Sequence, residues 1–212
     1  MEIYSNDEQQ VEALQRFLKE NGLAMLAGLV IGLGGLYGFR QYQEHQLEQL
    51  EAQSTAYNQL LEDVQKPDSD KEAWLVSAKN FVDENQSSSY AALTALLSAK
   101  EAVLKKDFAM AETQLRWVVT NSKEAEVVAL AQLRLARVEA EQAKYKEALA
   151  TLEVTMPAAF AAQQNELKGD VWLKSGDEVK AKAAYKAAQL VTEMGKNPLL
   201  DVKLNELAHV AG

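Results

Sequence analysis

The sequence predicts an all-α protein, with an N-terminal transmembrane helix followed by an array of helical hairpins. Three observations lead there. Nineteen consecutive residues, Asn21 to Phe39, carry no charge. From residue 71 onward the chain is rich in Ala, Leu, Glu, Lys and Gln, with few runs of the period-two alternation that a half-buried strand requires. Within that region small residues recur in register at separations of 37 and 33 residues. Composition sets the frame. The 212 residues hold 31 Asp+Glu against 22 Lys+Arg, a formal net charge of -9, with 48% hydrophobics and a mean hydropathy of -0.26. That much apolar material supports a sizeable core and excludes intrinsic disorder. Gly 10, Pro 3 and Cys 0 exclude a collagen-like or disulfide-stapled chain. A pI near 4.9 argues against nucleic acid, because duplex affinity comes mostly from neutralising phosphates.

The uncharged run, NGLAMLAGLVIGLGGLYGF, is bracketed by Glu20 and Arg40. As a helix it rises about 28 Å, close to the hydrocarbon thickness of a bilayer. Eight of its residues are Leu, Ile, Val or Phe, and six of the chain's ten glycines also lie here. A buried core helix of a soluble protein is the competing reading, and the length of the run weighs against it. Tyr37, Phe39 and Tyr42 cluster beside Arg40, as an interfacial aromatic belt with a snorkelling cation would. About twenty residues precede the run, and GFRQYQ follows where a cleavage site would need small residues. The segment therefore reads as a retained signal anchor. Arg16 and Lys19 flank its N-terminal end, whereas Arg40 is the only base before Lys66 on the other side. The positive-inside rule then places the N-terminus in the cytoplasm and the C-terminal body outside it.

Gly28/Gly32 and Gly34/Gly38 each make a small-xxx-small spacing, which lets a second helix approach closely, in a homodimer or against a larger membrane protein. Glycine is also simply common in membrane helices, so both readings stand.

Residues 43 to 65 hold no Gly or Pro and continue as helix. Leu47, Leu50, Ser54, Tyr57, Leu61 and Val64 form a seam of alternating threes and fours. A stripe packed on the following domain explains it better than so short a coiled coil. Lys66-Pro67-Asp68-Ser69-Asp70 is the first break. The organisation is then a tail over 1–20, a span over 21–39, a helical linker over 40–70 and a folded domain over 71–212. Helices are expected at 71–84, 89–104, 107–120, 124–141, 144–154, 158–174, 177–193 and 197–209. Pro157 suits a helix start, and Ser175-Gly176-Asp177 reads as a stop followed by an N-cap.

The recurring small residues are Ala99, Ala136 and Gly169, each followed twelve residues later by Ala111, Ala148 or Ala181. Four further on stands Leu115, Leu152 or Tyr185, and three before the second small residue stands Phe108, Tyr145 or Glu178. Paired small residues let two helices of a hairpin approach, and the larger residue fills the gap to the next hairpin. This resembles the tetratricopeptide repeat, with departures: the leading Trp is absent, Lys168 stands where the second unit has Leu135, and the closing Pro is missing. An unrelated Ala-rich bundle is the alternative. The helices at 71–84 and 197–209 would cap the array.

In such arrays the first helix of each pair lines a groove. Here that face carries Leu93, Leu96, Lys100 and Val103, then Leu130, Leu133, Arg137 and Ala140, then Gln163, Glu166, Asp170 and Leu173. Lys100, Arg137 and Asp170 occupy equivalent slots, with Leu96 and Leu133 beside them, and are the candidates for binding an extended or helical polypeptide. A solvated charged face is the bland alternative. No catalytic set is present, and no cofactor or metal is expected. The only histidines are His45 and His209, no Cys is available, and no phosphate loop, HExxH or GxSxG occurs. Trp74, Trp117 and Trp172 sit at core-like positions and need no ligand.

The order of parts narrows the field. MEIY, VEALQRFLKENG, the glycine-rich span, LRLARVEAEQAKYKEAL and LKGDVWLKSGD together resemble the YfgM family, ancillary subunits of the bacterial SecYEG translocon. The resemblance covers essentially the whole chain. It implies a single-pass inner-membrane protein with a cytoplasmic N-terminus and a periplasmic C-terminal domain. It further implies association with the SecYEG translocon and with a membrane-anchored, prolyl-isomerase-like periplasmic chaperone, and a role in passing exported polypeptides to periplasmic chaperones. An alternative role implied by the family is regulation of an envelope stress response through the cytoplasmic tail.

Overall fold

A helix satisfies its backbone hydrogen bonds within its own segment, which is what a chain crossing hydrocarbon requires. The computed structural model, which describes residues 3–192 and 197–210, builds the N-terminal region on that principle and has no strand among those residues. The chain divides into two units, Met1–Gln53 and Ser54–Gly212. The first is the greater part of one helix, α1 (Ile3–Gln65). Every residue from 23 to 52 is exposed, with Leu23 at 86% and Ile31 at 74%. A core helix would be largely covered; this one is bare along its apolar length. Among the described residues α1 alone is long and apolar enough to cross a membrane. At Gly28, Gly32, Gly34 and Gly38 an added Cβ would meet nothing within 4 Å, so both small-residue faces are open.

In the second unit the last turns of α1 pack on α2 (Lys71–Glu84) and α3 (Ser89–Leu104). Val64 is buried with Trp74 and Ala78, and Leu60, Leu75 and Leu97 close over them. The Trp74 indole donates to the Leu60 carbonyl at 2.8 Å, and the Lys71 ammonium donates to the Val64 carbonyl. Tyr57 and Tyr90 meet with ring centroids 5.4 Å apart. The expected seam thus divides: Tyr57, Leu61 and Val64 are at least half-buried, while Leu47 and Leu50 are exposed. The break at 66–70 ends in Asp70, whose carboxylate caps α2 by accepting from the amides of Glu72 and Ala73 at 2.9 and 3.1 Å. Those bonds, Ala73 first, hold its pKa below the usual carboxylate range.

Three hairpins follow. They pair α3 with α4 (Phe108–Asn121), α5 (Ala125–Glu141) with α6 (Tyr145–Leu152), and α7 (Ala161–Lys174) with α8 (Glu178–Val191). A single 3-10 turn, Ala158–Phe160, leads into α7 with Pro157 at its cap, so the expected helix over 158–174 is regular only from 161. The second hairpin's return helix is shorter than the 144–154 expected, ending at Leu152. Residue 193, the expected end of the helix begun at 177, lies outside the described residues. The repeat is written in the core: Ala99, Ala136, Ala111, Ala148 and Ala181 are at most 2% exposed, and Leu115, Leu152 and Tyr185 at most 1%.

The hairpin turns repeat as well. Lys106, Ala143 and Gly176 adopt φ of 62°, 58° and 89°, and they are separated by the same 37 and 33 residues. After each, an amide reaches back to close the preceding helix: Asp107 to Ala102, Lys144 to Glu139, and Asp177 to Trp172, at 2.9 to 3.0 Å. Only the third turn uses the residue without a left-handed penalty. The array ends in α9 (Pro198–Glu206), which contributes Leu200 to a core with Ala181, Tyr185, Ala188 and Leu207.

Candidate functional site

The residues singled out in the sequence fall on α3, α5 and α7, and α5 touches both of its neighbours. Lys100 and Arg137 line one cavity of about 290 Å³, whose apolar wall includes Val103, Phe108 and Leu115. Arg137 and Asp170 line a second of about 300 Å³ with Leu167, Val171 and Leu173. Arg137 is common to both, so the three charges form one line across the helices. Leu96 and Leu133 are only 5% and 2% exposed and belong to the core clusters on either side of α5. They hold the helices that present the charges and leave no surface for a ligand.

The charges differ in their surroundings. Asp170 accepts from the Tyr185 hydroxyl at 2.8 Å and from the Lys203 ammonium at 2.7 Å. Lys203 also meets Glu166 at 2.7 Å, and Glu166 accepts from the Asn197 amide at 2.9 Å. Burial works against the charge on Lys203, but bonds to Asp170 and Glu166 outweigh it and raise its pKa. Burial, then the bond to Asp170, raises the pKa of Tyr185. Asp170 is therefore committed within the third hairpin and its cap. Lys100 is exposed, with the Glu101 carboxylate 3.7 Å away. Arg137 has no ion pair or hydrogen bond among the described residues.

Two contributors escaped the sequence reading. Arg134, one turn before Arg137, also lines the first cavity. Lys203 follows Asp170 by 33 residues, the separation between Arg137 and Asp170. Extending the repeat by one period would have found it. A second charged cluster lies on the other side of α5. Glu139, fully buried, meets Arg116 at 2.6 Å and Thr151 at 2.8 Å, and Glu112 gathers Arg116, Gln142 and Lys144 at 2.7 to 3.0 Å. Among the described residues no group of His, Cys, Asp and Glu could hold a metal ion.

Small-residue hairpins stacked in register, closed by a cap and faced by a charged, partly apolar cleft, define a tetratricopeptide-repeat-like protein. A family model described as a tetratricopeptide repeat-like domain matches residues 15–209. The chain belongs to the family of ancillary SecYEG translocon subunits. It is 33% identical to the ancillary SecYEG translocon subunit of Escherichia coli (strain K12), covering 98% of this chain and 100% of that one. It is 32% identical to that of Haemophilus influenzae, over 95% and 97%, and 28% identical to that of Neisseria gonorrhoeae, over 98% and 100%. No solved structure matches it. The relatives are named for an accessory role at a translocon, and none of these names is that of an enzyme.

Proposed function

We propose that this chain is a membrane-anchored, non-enzymatic accessory of the SecYEG translocon. In this reading residues 1–20 face the cytoplasm, α1 crosses the inner membrane through residues 21–39, and the hairpin array works in the periplasm. There it passes exported polypeptides to periplasmic chaperones, including a membrane-anchored prolyl-isomerase-like one. The observation that carries the reading is the extent of the similarity: the relatives match from anchor through array, over 95% or more of both chains in each case quoted. The orientation rests on Arg16 and Lys19 before the span against Arg40 alone beside it. The two open glycine faces of α1 suit the close approach of a translocon helix. The array contributes a polypeptide-sized line of surface across α3, α5 and α7, with Lys100, Arg137 and Asp170 at its register points.

Photo-crosslinking in cells tests both halves. A photoreactive residue at Gly32 is expected to yield translocon adducts, and one at Arg137 chaperone or exported-chain adducts, each identified by mass spectrometry. Absence of translocon and chaperone products from both positions removes the reading's main support.

A further inference from the structure

Three cations surround the cavity of about 290 Å³: Lys100 on α3, and Arg134 and Arg137 one turn apart on α5. Its volume is at the small end of ligand pockets, suited to one bulky side chain. The apolar surface continues outward, because Val103 is 38% exposed and Leu104 67%. The carboxylate on the lining, Glu141, is ion-paired with Lys174 on α7. Neither guanidinium has an ion pair or hydrogen bond among the described residues. Burial and then the like charge of Arg137 lower the pKa of Arg134, as expected of two neighbouring cations that lack an ion-paired partner. The acids nearby are engaged elsewhere or meet only Lys100: Glu141 pairs with Lys174, and Glu101 stands 3.7 Å from Lys100, so neither guanidinium is neutralised. Asp170, the one acid in the register series, is held by Lys203 and Tyr185. The face is therefore cationic and apolar together.

We propose that this cavity seats a bulky apolar side chain of an extended polypeptide segment flanked by Asp or Glu, with the flanking carboxylates pairing to Arg134, Arg137 and Lys100. The inference rests on the reading of this face as a polypeptide-binding surface and adds the chemistry of the segment selected. Charge complementarity sets the choice of partner and the apolar wall sets the anchor.

The test uses the full chain in lipid nanodiscs and fluorescence anisotropy of short labelled peptides. Each peptide carries a central Phe flanked by Glu, by Lys or by Ser, and a fourth replaces Phe by Ser between glutamates. The Glu–Phe peptide is expected to bind on the order of tenfold tighter than the Lys–Phe peptide, as several partly exposed ion pairs allow. Added salt is expected to narrow that gap, and removing the Phe to weaken binding by a similar factor. The variant Arg134→Glu/Arg137→Glu, at two exposed positions, is expected to reverse the charge preference while its thermal unfolding stays that of the parent. Equal binding of the acidic and basic peptides overturns this inference and leaves the polypeptide-binding face standing. Binding by none of the peptides overturns both.

Discussion

Tyr185 stands where the first two units carry Leu115 and Leu152, and Gly169 stands where they carry Ala99 and Ala136. The two departures compensate. A Cβ at residue 169 would sit 2.3 Å from two ring carbons of Tyr185, a distance that core packing does not tolerate. The ring has taken the volume that alanine occupies elsewhere, and its hydroxyl has gained Asp170 as an acceptor. Gly169→Ala is therefore expected to destabilise the chain by about 1–3 kcal/mol, although glycine is the poorer helix former by about 1 kcal/mol. Adding Tyr185→Leu recreates the pair of the second unit and is expected to recover part of the loss. Chemical denaturation of both single variants and the double variant measures the coupling. Additive effects would mean that the clash is relieved elsewhere.

At the scale of elements, Glu112 ties α4 to the turn between α5 and α6. Its carboxylate accepts from Arg116 on its own helix, and from Gln142 and Lys144 beyond α5. The bond to Lys144, against the opposing effect of burial, brings its pKa from 4.5 to about 2. A carboxylate depressed in the fold contributes stability above its unfolded pKa and loses it as pH falls toward the folded value. Buried Glu139 is shifted upward, chiefly by burial, so its contribution changes with the opposite sign. Glu112→Gln separates them. The variant is expected to lose roughly 1–2 kcal/mol near neutrality, discounted for the exposed ends of Arg116 and Lys144, with the gap closing between pH 4.5 and about 2. Denaturation midpoints for the two proteins across that range check it. A gap independent of pH would assign the loss to packing. The elements themselves were legible where their ends carry side-chain chemistry. Asp70, Ser88, Asp107 and Asp177 each accept a backbone amide at a helix start, and each expected start lies within one residue of these caps. The turns at Lys106 and Ala143 were not legible, because a left-handed residue announces itself only when it is glycine. Arg134 was hidden for another reason: its place on the cavity depends on which neighbouring helix faces it, which periodicity within one helix does not specify, whereas Lys203 stands one repeat period beyond Asp170.

At the scale of the whole molecule, a single helix serves two surroundings. Residues 23–52 of α1 are bare, whereas Ser54 to Gln65 belong to the second unit and cover Trp74 and Ala78 through Leu60 and Val64. The turn at 66–70, the first break in the sequence, is therefore not where the packed unit begins. The last turns of α1 act as the N-terminal cap of the hairpin series, as α9 does at the other end. Stacked hairpins need such caps because a terminal hairpin left open exposes its apolar face. Two truncated chains test this. One that starts at Arg40 keeps the cap and sheds the uncharged span, so it is expected to remain in the soluble fraction and unfold cooperatively. One that starts at Lys71 loses Val64, the Leu60 carbonyl that accepts the Trp74 indole, and the Tyr57–Tyr90 contact. Trp74, 4% exposed in the intact unit, then meets water. The expected result is a lower denaturation midpoint and a red shift of tryptophan emission relative to the longer chain. The replacement Trp74→Phe in both is expected to abolish the difference in emission. Equal midpoints and emission would mean that α2 and α3 close the array without α1, and that the residues from Ser54 to Gln65 serve only as a spacer from the span.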